Sequence, residues 1–212
     1  MNSKWRLMGV AAVGLSIVVG GGVWWQGRQA RAAQLFDRAL KAAQVGARAG
    51  AAGAESCKAA LPPLETALAG GVDGGREEVV ARAVGECSML LQRHPQAAEA
   101  FRKVTVLQPQ QARAHADLAR ALSRAGQHAE AKRSAQLAVQ LAPDAWQSYR
   151  THAMILSAAG DTQGAVDAFT KARSLAPPNE HAAADQVIAQ LRAKLPGGAG
   201  SAPAAPSTVA DR

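Results

Sequence analysis

Displaced by 34 positions, the middle of the sequence falls on itself: Gly126 lands on Gly160, Ala131 on Ala165, Ala138 on Ala172, Leu141 on Leu175 and Pro143 on Pro177. A further step upstream brings Ala97, Val104, Leu107 and Pro109 into the same register. Phe101 then matches Phe169 across Ala135, and Val84, Leu118 and His152 share one earlier position. A repeat of this length is one supersecondary unit that cannot bury its apolar face alone, so the chain must stack copies side by side. The units are 78–111, 112–145 and 146–179. Each reads as helix A, tight turn, helix B and a proline stop. In the second unit helix A covers 112–125 and ends at Gly126 as a left-handed residue, and helix B covers 129–141 and ends ahead of Pro143. The third unit repeats this plan, with Gly160 as the stop and Asp161 as the N-cap of its helix B. Composition points the same way. Aromatics make up only 4% of the chain, and Trp5, Trp24 and Trp25 sit near its beginning, so too few rings remain for a mixed sheet and the helices must pack closely through alanine.

The pattern resembles the tetratricopeptide repeat, a helix–turn–helix with small residues where its two helices approach, an aromatic in helix B and a closing proline. Gly85, Ala119 and Ala153 stand at the small position of helix A, Ala97, Ala131 and Ala165 at that of helix B, and Pro109, Pro143 and Pro177 close the units. Departures are visible. Ala81 and His115 replace the early aromatic that Tyr149 retains, Gln92 replaces the turn glycine, and Pro95 enters the first turn of a helix B, where its missing N–H costs nothing. The resemblance implies an all-α solenoid whose helices A form an inner wall for a protein or peptide partner. On that wall the second unit would project Arg113, Ala116, Asp117, Arg120 and Arg124, with Arg82 and Arg150 at the matching places on either side. Five arginines against Asp117 and Glu86 make the groove locally cationic and suited to an acidic segment. The alternative is that these arginines are solvated and paired with neighbours such as Asp117. The asparagine and lysine set with which some members clamp a C-terminal carboxylate is absent. Residues 180–195, with Val187, Ile188 and Leu191 on one side and Gln186, Gln190, Arg192 and Lys194 on the other, read as the helix that caps the last repeat.

Ahead of the repeats, residues 7–25 carry no charge and no proline, follow a basic tail at 1–6 with Lys4 and Arg6, and precede Arg28. A helix of that length spans roughly 28 Å, which suits a hydrocarbon core, and tryptophans mark both ends. The expectation is a bacterial-type membrane-anchored protein with a single-pass inner-membrane helix. A cleaved signal ending at Ala30-Arg31-Ala32 is the rival, opposed by the length of the run and by Arg31 inside the small-x-small triplet. Positive charge nearly balances across the span. A short basic tail kept in the cytoplasm would send the remainder to the periplasm. Ala12, Ser16 and Gly20 repeat every four residues and could form a homodimer face.

Residues 26–77 read as a helical stalk, striped by Leu35, Phe36, Ala39, Leu40 and Ala43. It gives way to an irregular glycine-rich region broken at 46–54, at Pro62-Pro63 and at 70–75, with a short helical piece at 64–69. Residues 196–212, rich in Pro, Ala, Ser and Gly, read as a disordered tail. Cys57 and Cys87 are the only cysteines. Outside the cytoplasm they could pair and staple the irregular region to the first repeat, and otherwise they are two buried thiols. The net charge of +8 is spread thinly along the chain, so no nucleic-acid role is expected.

No phosphate loop, His-Glu-x-x-His, Cys-x-x-Cys or Gly-x-Ser-x-Gly occurs, and the five histidines are scattered, so neither catalytic residues, metal site nor cofactor is expected. The reading is a non-enzymatic, membrane-anchored interaction scaffold or assembly factor for an envelope complex. The alternatives are a cytoplasm-facing adaptor or regulator on the same fold, and an enzyme whose site lies within 46–76.

Overall fold

A computed structural model describes residues 34, 36–71 and 75–195, and among these all regular structure is helical. The membrane span expected at 7–25, its Ala12/Ser16/Gly20 face and the tail at 196–212 lie outside the described residues. Among those described, no helix is long and apolar enough to cross a membrane. Two compact units result, one ending at Gln92 and one beginning at Arg93. The first 34-residue repeat is thus shared between them, its helix A in one and its helix B in the other.

The first unit holds α1 (residues 36–49), a 3-10 turn at Gly50–Gly53, α2 (Ala54–Gly70) and α3 (Glu77–Leu90). It corrects the expectation of a stalk followed by an irregular stretch. The helix does not break at Pro62 and Pro63, which lie inside α2. Each proline costs about 3 kcal/mol in a helix interior. Both are exposed, where water can take up the abandoned carbonyls, and the opposite face buries Cys57, Ala60, Leu61, Leu64 and Leu68 without interruption. At about 1.5–3 kcal/mol per buried leucine, the three leucines of that stripe contribute an amount comparable to what the prolines cost and offset it. Thr66 Oγ1 also donates to the Pro62 carbonyl oxygen at 2.8 Å.

Glycine likewise serves close approach here rather than a break. α1 continues through Gly46, and a Cβ placed on Gly53 would lie 2.0 Å from the Gly46 carbonyl oxygen, so the two backbone segments touch where no side chain could fit. Ala39 and Ala43 of α1 are buried. Cys57 and Cys87 form a disulfide joining α2 to α3, with Cα atoms 5.1 Å apart and both sulfurs within 4 Å of the Ala43 carbonyl oxygen.

The second unit runs α4 (His94–Leu107), α5 (Ala112–Arg124), α6 (His128–Leu141), α7 (Trp146–Ala158), α8 (Thr162–Leu175) and α9 (Pro178–Arg192). Each packs on the next, and α5 also meets α7, so alternate helices lie side by side. The turn from α5 to α6 shows how sequence fixes geometry. Gly126 has φ +79, its N–H donates to the Ser123 carbonyl at 3.1 Å, and the Gln127 N–H reaches back to Leu122 at 2.8 Å. These two bonds satisfy carbonyls that the helix end leaves without partners. Gly160 repeats the arrangement at φ +82, with Asp161 N–H bonded to the Leu156 carbonyl at 2.9 Å. Asp161 then caps α8, its carboxylate accepting from Gly164 N–H at 2.9 Å. At the corresponding place in the first repeat Gln92 itself adopts φ +59.

Alanines 131, 135 and 138 line the buried face of α6 at i, i+4, i+7 spacing, which lets α5 and α7 approach it closely. Phe101 is 1% and Phe169 7% exposed, each inside its helix B. His115, where the repeat pattern has an aromatic, is buried and donates from Nε2 to the Pro109 carbonyl at 2.8 Å, bracing the loop between α4 and α5. α9 covers the end of the stack by burying Ile188 and Leu191 in a cluster with Ala165, Val166 and Phe169 of α8.

Candidate functional site

Alternate helices α5, α7 and α9 present one face of the second unit, and two cavities open along it. Between α5 and α7 lies one of about 580 Å3, lined by Arg113, Ala116, Asp117 and Arg120 of α5 and by Arg150, Thr151 and Met154 of α7. Between α7 and α9, floored by α8, lies another of about 670 Å3, lined by Trp146, Met154, Phe169, Ala172, Ala183 and Val187 among others. Arg150 and Met154 border both, so the two form one continuous groove.

Charge in this groove is organised around one carboxylate. Asp117 is only 5% exposed, and it accepts a short hydrogen bond from Arg120 Nη2 while Arg113 Nε stands 3.6 Å away. Three- and four-residue spacing along α5 puts all three on one face. Arg150 takes another partner: its guanidinium lies 4.9 Å from the centroid of the Trp146 ring, one helical turn earlier. A planar guanidinium stacked this way keeps its in-plane N–H groups directed outward. Among the described residues no carboxylate lies within ion-pair distance of Arg150.

The far rim is held differently. Arg173 of α8 and Asp185 of α9 make a two-point bond, Nε and Nη2 each to a carboxylate oxygen, the latter at 3.0 Å. Arg173's hydrogen bond holds the Asp185 carboxyl below its usual range, and the same bond raises the arginine. Glu180 also borders the cavity on the α9 side. Two of the expected groove residues fall elsewhere. Arg124, at the end of α5, is exposed and lines neither cavity, and Arg82 belongs to the first unit, where it bonds Glu78 at 2.7 Å.

The larger apolar cavity went unnoticed in the sequence. Its signal was present: Trp146, Arg150 and Met154 recur every four residues along α7, and Met154 is a large apolar side chain left 47% exposed. Among the described residues no group of three or more His, Cys, Asp or Glu side chains could hold a metal ion.

Residues 112–145 match the family described as tetratricopeptide repeat, the same bounds the sequence repeat assigns to its second unit. The α5–α6 pair is thus a tetratricopeptide repeat, and the flanking helices α7–α8 repeat its helix–turn–helix form. Among solved structures the chain is similar to MamA from Desulfovibrio magneticus RS-1, at 18% identity over 74% of this chain and 84% of that one, with a TM-score of 0.58. A crystal structure of MamA is similar at 19% identity over 65% of this chain and 77% of that one, with a TM-score of 0.56. At such identities the likeness concerns the fold. No curated protein matches the sequence.

Proposed function

We propose that this chain is a non-enzymatic, membrane-anchored scaffold that holds a segment of a partner protein along α5, α7 and α9, serving assembly of an envelope complex on the periplasmic side of an inner membrane. The observation that carries the binding role is the continuous groove. In its α5–α7 half the groove is lined by Arg113, Arg120 and Arg150 and by a single carboxylate, Asp117, so that half keeps a positive excess suited to acidic segments, and such complementarity raises on-rates and selects partners. The anchor rests on the charge-free run at 7–25 behind Lys4 and Arg6. Pairing of Cys57 with Cys87 supports the periplasm over the cytoplasm-facing alternative, since disulfides persist in oxidising compartments.

The binding role is tested by Arg113→Gln combined with Arg150→Glu, which leaves the Arg120–Asp117 bond in place. Partner capture from detergent extracts should weaken and lose its salt dependence while the helical spectrum stays normal. Unchanged capture by a folded variant would place the function on another surface. For the compartment, a reporter active only in the periplasm, fused after Leu195, should be active, and a silent fusion would reverse the orientation.

A further inference from the structure

The groove's two halves differ in chemistry, and their order along the groove is fixed. We infer that the cavity between α7 and α9 is an anchor pocket for one bulky apolar side chain of the partner segment, and that an acidic residue beside that anchor pairs with Arg150 on the α5 side. The inference rests on the groove reading above and specifies its ligand.

Three observations combine. First, the cavity of about 670 Å3 falls in the size range of formed ligand pockets, roughly 300–1,000 Å3, and its walls are the Trp146 and Phe169 rings, Met154, Val187 and alanines. Such a site gains most from a desolvated aromatic or large aliphatic group, the kind of residue that dominates binding energy at interfaces. Second, Arg150 stands where the two cavities meet, stacked on Trp146 and with no carboxylate of the described chain in ion-pair reach. A carboxylate arriving there meets N–H groups already oriented by the ring beneath them, so less rotamer freedom is lost on binding. Third, Glu180 borders the α9 side of the pocket, and Arg173 is committed there to Asp185. An acidic residue of the partner is therefore disfavoured beyond the anchor and favoured toward α5, where Arg113 and Arg120 extend the positive field. The ligand is an acidic-then-apolar peptide segment laid from α5 to α9.

The test uses the full-length protein in detergent and a displayed library of random twelve-residue peptides. Binders should be enriched in an aromatic or large aliphatic residue within two positions of Asp or Glu. Ala183→Trp, which fills the cavity from an exposed position of α9, should weaken a selected binder tenfold or more, and so should replacing the peptide's own anchor by alanine. Anchor replacement should add little further loss in the filled variant. Arg150→Gln should weaken the acidic peptide about fivefold and leave its Asn/Gln counterpart unchanged. Each variant is checked by its helical spectrum, and Met154→Glu, on the opposite wall, replaces Ala183→Trp if the latter misfolds. Binders weakened by Arg113→Gln with Arg150→Glu but indifferent to both cavity variants would overturn the anchor while leaving the groove reading intact. Binders indifferent to all of these variants, or a library with no binder at micromolar concentration, would overturn both.

Discussion

One backbone position recurs in all three repeats, and it yields a prediction whose sign reverses between them. Gly126 and Gly160 adopt φ +79 and +82 at the end of α5 and α7, and Gln92 adopts φ +59 at the end of α3. A left-handed conformation costs an L-residue about 1–2 kcal/mol, while glycine in its place gives up roughly 0.5–1 kcal/mol of extra freedom in the unfolded chain. The exposed Gln92 side chain makes no hydrogen bond within the described residues that would offset the strain. Gln92→Gly should therefore stabilise the protein by about 0.5–1 kcal/mol by the difference of those two costs. At Gly126 and Gly160 a Cβ would meet nothing within 4 Å, so substitution there carries only the conformational cost. Gly126→Ala and Gly160→Ala should each destabilise by about 0.5–1 kcal/mol. Urea unfolding of the full chain, followed by far-ultraviolet circular dichroism, has the resolution required. With slopes of about 1–3 kcal/mol per molar urea, the midpoints should move by roughly 0.2–1 M, upward for Gln92→Gly and downward for the two alanine variants. A fall in midpoint for Gln92→Gly, or cost-free alanine variants, would refute the shared left-handed turn and with it the three-unit register.

Other perturbations reach the core, the crosslink and the titrating groups. Phe101→Ala should cost about 3–5 kcal/mol; Phe169 borders the α7–α9 cavity, so its truncation should fall at or below the low end of that range, and near-neutral unfolding midpoints for both would remove the two rings from the core. Mass mapping of native protein without reductant should recover a peptide linking Cys57 and Cys87, and complete alkylation of both thiols would reject the crosslink. Burial lowers the pKa of His152, partly opposed by Asp161 and reinforced by Lys132. Its neutral form is favoured in the folded state, so the stability it contributes is present above the ordinary value of 6.5 and lost as pH falls below it. His152→Gln should flatten that acid-side decline, and an unaltered pH profile would mean another group causes it.

The repeat was legible because its signals are local and periodic. Gly126, Gly160, Pro143 and Pro177 act through their own backbone restrictions, and Ala131 and Ala165 through the closeness they permit, so each leaves a trace at a fixed offset. The first unit was misread for the converse reason. Pro62 and Pro63 are strong local stop signals, but the Cys57–Leu68 stripe on the other side of α2 is buried against α1 and α3, and that tertiary gain has no local signature. Gly46 and Gly53 likewise look like breakers until their partners in space are known. The groove was half legible. Helical spacing gathers Arg113, Asp117 and Arg120 on one side of α5, whereas the cavity beside Trp146 exists only because α9 stands off from α7 above α8.

Charge in the groove depends on arrangement more than on the chain's overall excess of positive residues. Asp117 is nearly buried, and an unpaired carboxylate there would be strongly destabilising, so at least one arginine must stay with it. Arg120 meets that need through its short bond, while Arg113 stands further off at 3.6 Å with 71% of its side chain exposed. The carboxylate thereby fixes the pair in place with one positive charge in excess, and the stacked Arg150 adds another a helix away. A guanidinium held over a ring, as Arg150 is over Trp146, loses less side-chain entropy on binding than a free lysine, so Arg→Lys exchange at 150 would preserve the sign of the field and still weaken an acidic ligand.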